Sequence, residues 1–268
     1  MSKLEKIKNK NKTAVILCGG KGTRLGSLGK RIPKPLVKIQ SYPIIWYIIK
    51  ILKKNSFNHF IMPLGYKGHM IKNYIKKNSE LKRLNIETVD TGINATIASR
   101  IDTIKKNIKS KNFLLLNGDA ILDFNLKKMF KNHIKNNDDL TFIACETKFN
   151  YGIVGKKNNK IVSFERDIFF NSIKQKNNPS FVGYVYSGIS IMSTKLLKLN
   201  FKDFENFEKK FYPNIIKKFK TNLKFLNGFW SSIDNIKDID ILNNKNSSKY
   251  KEIKKIKKKL KNEKFLEK

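Results

Sequence analysis

The sequence is poor in the residues that build disulfide or metal frameworks. Its 268 residues include two cysteines, Cys18 and Cys145, and three histidines. Two cysteines that form no CxxC pair exclude a disulfide framework and favour a reducing compartment. The histidines lack the spacing of metal ligands, which argues against a zinc site.

Long apolar runs are also missing. The basic start of the chain leads into an apolar run of only strand length, so no signal peptide is expected. The longest later apolar stretch, Ile44 to Ile49, is too short to span a bilayer. We therefore expect a cytoplasmic protein without a transmembrane segment.

Acidic residues are scarce beside the basic ones. The chain carries 57 basic and 21 acidic residues, which gives a formal net charge of +36. Such a charge is typical of proteins that bind nucleic acid or anionic membranes. However, five of the basic residues are arginine and 52 are lysine, spread along the whole chain. A nucleic-acid groove concentrates arginine and aromatic residues on one face, so we expect no specific nucleic-acid partner.

The first part of the chain contains a long stretch without a carboxylate side chain, because no Asp or Glu occurs from Lys6 through Ser79. Within it, residues 14–35 read AVILCGGKGTRLGSLGKRIPKP. A short buried strand here leads into a loop whose glycines let backbone N–H groups approach an anion, and Arg24 and Lys34 add positive charge. The stretch predicts a polyphosphate-binding loop, with any metal-binding carboxylate supplied from later in the chain.

Two familiar phosphate loops do not fit this stretch. A P-loop requires Lys-Ser or Lys-Thr after its last glycine, whereas Gly22 is followed by Thr23 and Arg24. The glycine spacing loosely matches a dinucleotide-binding loop, but the acidic residue that would hold the ribose about 20 positions later is missing. A dehydrogenase or epimerase is therefore disfavoured.

The same stretch resembles the signature of the sugar-1-phosphate nucleotidylyltransferases. These enzymes carry Gly-Gly-x-Gly-Thr-Arg-Leu after the first strand and then Pro-Lys-Pro, as this chain does from Gly19 to Leu25 and from Pro33 to Pro35. The resemblance implies an α/β, Rossmann-like nucleotide-diphospho-sugar transferase fold with a mostly parallel mixed sheet flanked by helices. It also implies that a nucleoside triphosphate and a sugar-1-phosphate are joined into a nucleotide sugar and pyrophosphate, for surface polysaccharide biosynthesis.

Carboxylates for a metal are expected at two later positions. The apolar run from Phe113 to Leu116 predicts a strand buried on both faces, and Asp119 follows its carboxyl end, where ligands bind in open parallel sheets. The resemblance implies that Asp119 and Asp234 hold Mg²⁺. Capping the element that follows each aspartate is the alternative.

The resemblance also implies the remaining site residues. The catalytic residues are Arg24, Lys34 and Asp119. The nucleotide-binding residues are Leu17, Gly19, Gly20, Gly22, Thr23, Arg24, Lys34, Thr91, Arg100 and Gly118. The sugar-phosphate-binding residues are Gly152, Glu165, Arg166, Ser187 and Gly188, with Arg166 in the place of the usual lysine.

Three segments indicate the base of the nucleotide and the identity of the sugar, and they point to different substrates. The spacing from Asp90, Thr91 and Gly92 to Arg100 resembles the cytidylyltransferase type, as does the segment from Gly228 to Asp234. Residues 208–213 instead resemble guanylyltransferases that act on heptose. CTP with a hexose is favoured; GTP with mannose- or heptose-1-phosphate, and a catalytically silent regulatory homologue, are the alternatives.

The chain order predicts one domain with short extensions. We expect a disordered basic arm over residues 1–12, the nucleotidyltransferase domain over 13–243 and a lysine-rich helix within 244–268. Inside the domain, helices are predicted at 44–54, 68–77, 126–136 and 208–218, a hairpin at 151–165, a loop at 167–180 and a strand at 181–192. The last helix carries Tyr250, Ile253, Ile256 and Leu260 on one face. Packing on its own domain, contact with a membrane surface and homo-oligomerisation all stay open for it.

Overall fold

A computed structural model of the chain describes residues 12–148, 153–165, 169–170, 172–175 and 178–262. The strands are β1 (Thr13–Leu17), β2 (Lys38–Ile39), β3 (Tyr42–Pro43), β4 (His59–Leu64), β5 (Ile86–Asp90), β6 (Asn112–Asn117), β7 (Ala120–Asp123), β8 (Leu140–Cys145), β9 (Thr147–Lys148), β10 (Ile153–Lys157), β11 (Lys160–Glu165), β12 (Phe169–Phe170), β13 (Ser172–Gln175), β14 (Asn178–Ser193), β15 (Thr221–Phe225) and β16 (Phe229–Ser232). The helices are α1 (Gly26–Arg31), α2 (Ile44–Lys54), α3 (Gly68–Lys77), α4 (Ile97–Ile104), α5 (Leu126–Asn136), α6 (Tyr212–Lys218), α7 (Ile236–Asn243) and α8 (Ser248–Asn262).

The main sheet has the order β15-β8-β14-β6-β1-β4-β5, and β13 pairs with β14. The strand β1 runs parallel to both of its neighbours, β4 and β6, and β4 runs parallel to β5. At the other end β8 and β15 are parallel, whereas β14 runs antiparallel to β6 and β8. The predicted mostly parallel mixed sheet is therefore confirmed.

Both faces of this sheet are covered, as its continuous apolar strands require. Alternate side chains of β1 point to opposite faces, so Ala14 and Ile16 join one core and Val15 joins the other. The first core contains the apolar faces of α2, α3, α5 and α8. The second contains α4, α6 and an aromatic cluster in which the ring of Phe211 stacks on those of Phe201 and Phe207. The sheet thus places the ends of its central strands between two helical layers.

The predicted helices 44–54, 68–77 and 126–136 are confirmed with the same bounds. Their ends are determined by local chemistry. The helix α5, for example, begins where the Asn125 side chain accepts a hydrogen bond from the Lys128 N–H, and it ends at Asn137, which adopts the left-handed conformation. Signals of this kind lie within a few residues of the helix they terminate, so they can be read without knowledge of the tertiary structure.

Two predicted segments need correction. The loop predicted at 167–180 is wrong, because its described residues include β12, β13 and the first residues of β14. The strand β12 pairs with the earlier strand β9, which no local pattern indicates, whereas β13 pairs with the start of β14 in a local hairpin whose asparagine- and proline-rich turn is typical of a loop. The helix predicted at 208–218 begins with a π-helical turn, Phe207–Phe211, and becomes α-helical at Tyr212.

The two ends of the chain differ in what the structure describes. The basic arm predicted over 1–12 lies outside the described residues except for Lys12, whose backbone N–H donates to the side chain of Asn58. The C-terminal helix, α8, packs on its own domain, because Ile253, Ile256 and Leu260 are buried in the first core. Among the described residues, no helix combines the length and apolar character needed to cross a membrane.

A buried histidine on α5 makes the stability of this fold depend on pH. The His133 ring is 1% exposed, with Nε2 against the Asn112 amide oxygen and Nδ1 against the Thr141 hydroxyl. Burial outweighs the nearby Asp138 and Asp139 and lowers the pKa of His133 to about 4. Because the unfolded chain takes up this proton near pH 6.5, folding loses stability as the pH falls below that value.

We expect the free energy of unfolding to fall by roughly 2 kcal/mol through His133 alone between pH 7 and pH 5. Urea unfolding at both pH values, compared between the wild type and His133→Asn, measures this contribution. The variant should be less stable at pH 7 but should lose less stability on acidification. His69→Asn, at an exposed position on α3, is the matched control and should keep the wild-type difference. Equal pH dependence in all three proteins would contradict the prediction.

Candidate active site

A cleft of about 490 Å³ lies at the carboxyl ends of β1 and β6. It is lined by Leu17, Cys18, Gly19, Gly20, Gly22, Thr23, Arg24, Leu25, Lys34, Pro35, Ala95, Thr96, Ile97, Arg100, Asn117, Gly118, Asp119 and Asp234. This is the edge of a parallel sheet where ligands are expected, since strands that lie side by side end there and the connecting loops diverge. Most of the nucleotide-binding residues predicted from the sequence meet in this cleft.

The glycine-rich loop curls around one side of the cleft. Gly22 has a φ of +64°, a conformation that a side chain would strain, and it immediately precedes a short 3-10 turn, Thr23–Leu25. Gly19 is constrained by contact instead, because a Cβ atom there would lie 2.1 Å from the guanidinium of Arg100. The loop therefore exposes backbone rather than side chains to the cleft, as binding of a phosphate chain requires.

Arg100 ties this loop to the neighbouring strand ends. It is buried on α4, and its guanidinium donates to the carbonyl oxygens of Gly19 and Leu64, each at 2.9 Å. It also donates to the hydroxyl of Thr91, which itself donates to the Leu64 carbonyl. Burial lowers the pKa of Arg100, and Asp90 and the Cys18 thiol partly offset this effect. Thr91 thus reaches the cleft through Arg100 rather than by lining it.

The turn after β4 contacts both the start of the glycine-rich loop and the end of the helix α1 that follows the loop. The N–H of Tyr66 donates to the Gly19 carbonyl at 3.3 Å. The Lys67 ammonium donates to the carbonyls of Lys30 and Arg31, at the carboxyl end of α1. A cation at this end of a helix satisfies carbonyls that have no partner within the helix. The turn thereby positions the segment that leads to Lys34.

Lys34 is the centre of the charged part of the site. It lies in a 3-10 turn, Lys34–Leu36, and its side chain is 14% exposed. Its Nζ lies 2.8 Å from Oδ2 of Asp119 and 3.2 Å from Oδ1 of Asp234. The same Oδ1 accepts a hydrogen bond from the exposed Arg24 at 3.0 Å. Two cations and two carboxylates from distant parts of the chain therefore converge at one point.

Asp234 is held in its ionised form by this arrangement. Partial burial by itself would raise the pKa of Asp234, but the charge of Lys34, hydrogen bonds from Ser232 and Lys34, and the charge of Arg24 together lower it. The capping alternative does not hold, because Asn235 caps α7 in a reciprocal capping box with Asp238. The Asp234 carboxylate is left to face the cleft.

Asp119 is likewise not used as a cap. It follows Gly118, whose N–H donates to the Leu17 carbonyl and so joins the end of β6 to the end of β1. The next element is the strand β7, and the helix after it is capped by Asn125. The contact of the Asp119 carboxylate with Lys34 is therefore a tertiary interaction and not a helix cap.

The predicted sugar side is described only in part. Gly152 and Arg166 lie outside the described residues, and Glu165 is the last residue of β11. Ser187 is buried, and its hydroxyl donates to the Ile143 carbonyl at 2.7 Å. Gly188 has a φ of +77°, and a Cβ atom there would lie 2.6 Å from Nδ2 of Asn117. The segment of Ser187 and Gly188 therefore packs against the cleft wall, while the Ser187 hydroxyl already has a partner inside the protein.

Several residues of the cleft wall were not predicted from the sequence. They include Asn117 and the segment Ala95, Thr96 and Ile97. Asn117 directly precedes Gly118 and Asp119, so its position at a strand end was readable. Thr96 accepts a hydrogen bond from the Ser99 N–H and caps α4, and threonine, as a preferred N-cap residue, was the local signal for this helix start.

Comparison with known proteins places the chain among nucleotide-transferring enzymes. The model of the family described as "Nucleotidyl transferase" matches residues 13–249. The probable glucose-1-phosphate cytidylyltransferase of Bacillus subtilis is 30% identical over 246 residues, covering 84% of this chain and 92% of its own length. The D-glycero-alpha-D-manno-heptose 1-phosphate guanylyltransferase of Aneurinibacillus thermoaerophilus is 31% identical over 156 residues, 57% of this chain and 66% of its own. The crystal structure of HddC from Yersinia pseudotuberculosis aligns with a TM-score of 0.65 at 23% identity, covering 91% of this chain and 99% of that one.

Proposed function

This chain belongs to the nucleotidyl transferase family, and we propose that it joins a nucleoside triphosphate and a sugar-1-phosphate to give a nucleotide sugar and pyrophosphate. The observation that carries the proposal is the contact of one ammonium, Lys34, with the carboxylates of Asp119 and Asp234 beside a glycine-rich loop. A relative that is 30% identical over most of both chains bears the name of such an enzyme.

The proposed reaction needs charge neutralisation more than proton transfer. An oxygen of the sugar phosphate, already an anion, attacks the α-phosphorus, and the bond from that phosphorus to the β-phosphate oxygen breaks as pyrophosphate leaves with the electron pair. No general base is required. The backbone from Gly19 to Thr23, with Arg24, would hold the triphosphate, and Lys34 would offset the charge that grows at the α-phosphate.

The two carboxylates fit a magnesium ion that arrives with the nucleotide. Both carboxylates contact the same ammonium, that of Lys34, so the pair already stabilises one positive charge at this point. The described residues contain no cluster of three or more potential ligand side chains. Mg²⁺ is commonly held by one or two carboxylates together with substrate phosphates, which matches a pair. Asp119 and Asp234 would hold the ion, which when bound supplies positive charge to the phosphates.

We also propose residues that bind the sugar phosphate and the base. Arg166, next to Glu165 and following Gly152 along the chain, would bind the sugar phosphate, where a guanidinium can make two parallel hydrogen bonds. Ser187 and Gly188 would contact the sugar through their backbone. For the base we favour CTP, because Thr91 and Arg100 retain the cytidylyltransferase spacing and form one hydrogen-bonded group at the cleft. GTP with a mannose- or heptose-1-phosphate is the alternative, supported by the guanylyltransferase among the relatives.

Pyrophosphate release with Mg²⁺ tests the proposal directly. CTP, GTP, UTP, dTTP and ATP are each assayed against glucose-, mannose- and heptose-1-phosphate, with omission of either substrate as the control. We expect release only with both substrates present and fastest with CTP and a hexose phosphate. A strong preference for GTP would support the alternative. No release with any pair, while calorimetry shows nucleotide binding, would contradict catalysis and favour a regulatory homologue.

A further inference from the structure

The C-terminal helix α8 concentrates lysine far beyond the rest of the chain. Its 15 residues include eight lysines and one glutamate, whereas the chain as a whole has 52 lysines in 268 residues. The local frequency is therefore more than twice the average, and the general lysine richness of the protein does not account for it. The helix contains no arginine.

The arrangement of these lysines follows the helical period. Ile253, Ile256 and Leu260 are at most 2% exposed and hold one face of α8 in the core. Five of the six exposed lysines form a stripe on the other side, with the spacing i, i+3, i+4, i+7 and i+10, and the sixth, Lys259, pairs with Asp123. The exposed stripe consists of Lys251, Lys254, Lys255, Lys258 and Lys261. Because the apolar face is already buried, α8 presents a cationic face to solvent. It has no exposed apolar face that could insert into a membrane.

Few carboxylates among the described residues neutralise this stripe. Lys255 pairs with Glu252 at 2.7 Å on the helix itself. Lys251, Lys254 and Lys258 have no carboxylate partner among the described residues. The charges act on one another, since burial and then the neighbouring Lys261 and Lys254 lower the pKa of Lys257. Like charges three and four residues apart destabilise a helix, so an anionic partner would reduce the repulsion between these lysines.

We propose that α8 docks the protein on the surface of an anionic lipid bilayer. Lysine is a strongly hydrated point charge that suits diffuse attraction to phospholipid headgroups, whereas phosphate-by-phosphate recognition of nucleic acid favours arginine and exposed aromatic rings. The single tyrosine of α8, Tyr250, is half-buried. A convex helix face with lysine alone fits a flat charged surface better than a strand of nucleic acid.

Vesicle flotation with the full-length protein tests this surface. Vesicles of phosphatidylcholine alone are compared with vesicles containing 30% phosphatidylglycerol, at about 0.1 M and 0.5 M NaCl. We expect binding only to the anionic vesicles and loss of binding at the higher salt concentration. Equal binding to neutral vesicles, or none to either, would overturn the proposal.

Two matched quadruple variants distinguish the contribution of α8 from the effect of the protein's overall positive charge. The first replaces Lys251, Lys254, Lys258 and Lys261 by glutamine. The second makes the same change in net charge at Lys106, Lys109, Lys111 and Lys198, which are exposed elsewhere. With a contribution of about fivefold for each lysine near the membrane, the first should lower the partition coefficient on the order of 10²-fold or more. The second should change it less than about fivefold.

Equal losses in the two variants would overturn the assignment to α8. Tighter binding of the wild type to duplex DNA than to anionic vesicles, abolished by the first variant alone, would overturn the lipid partner and favour nucleic acid. Thermal unfolding of both variants checks that the fold is retained. The stripe does not line the cleft, so pyrophosphate release should be the same in both, and this readout is independent of the vesicle result.

Discussion

Replacing Asp119 with alanine is expected to lower kcat for pyrophosphate release by on the order of 10³-fold. The carboxylate of Asp119 lies 2.8 Å from Nζ of Lys34, at the end of a buried strand and on the wall of the cleft. In the proposed reaction it holds the ion that neutralises the phosphates, so its removal acts on the transition state. The assay varies Mg²⁺ at saturating substrates, and the apparent affinity for Mg²⁺ should fall as well.

The fold should tolerate this change. Asp119 is partly exposed, and Lys34 keeps Asp234 as a partner when the Asp119 carboxylate is lost. The backbone carbonyl of Asp119 still accepts from the Ile233 N–H. Asp123→Ala is the matched control, since that carboxylate pairs with Lys259 outside the cleft. Turnover within about twofold of the wild type is expected for the control. Near wild-type turnover of Asp119→Ala at saturating Mg²⁺ would remove Asp119 from the mechanism.

Lys34→Gln is expected to lower kcat and kcat/KM together, by on the order of 10²-fold. A positive charge that matters most as charge develops at the α-phosphate contributes to the transition state more than to substrate binding. Lys38→Gln, at an exposed position four residues later, is the control and should leave both parameters near the wild-type values. A higher KM for the nucleotide with unchanged kcat would show that Lys34 only binds substrate.

The pH dependence of this variant gives a second readout. Lys34 is the main group that lowers the pKa of Asp234 against the effect of burial. Without it the folded-state pKa of Asp234 should rise, so Asp234 becomes protonated at a higher pH than in the wild type. The acidic limb of the residual activity should move to higher pH accordingly. An unchanged acidic limb would mean that Asp234 ionisation does not govern activity there.

The helices 44–54, 68–77 and 126–136 were predicted with their bounds because the signals are local. The apolar spacing of Ile45, Ile48, Ile49 and Leu52 is enough to indicate α2. That spacing predicts one buried face, whereas the helix is buried on every side in the structure. By contrast, the strands β12 and β13 were predicted as loop, because β12 pairs with the earlier strand β9 and the turn between β13 and β14 is rich in asparagine. The sequence contains those residues but not the information about which strand lies beside them.

The glycine-rich loop, the central strands and the family were readable from the sequence, because the glycines, the paired prolines around Lys34 and the apolar runs are contiguous motifs. The sequence also marked Asp119 as a carboxylate that follows a buried strand, and Asp234 through the resemblance of its segment to the cytidylyltransferases. Their contact with Lys34, from 85 and 200 residues away along the chain, became visible in the folded protein alone. The physical reason is that the parallel packing of β1 beside β6, and the pairing of β16 with β7, carry these distant segments to one edge of the sheet.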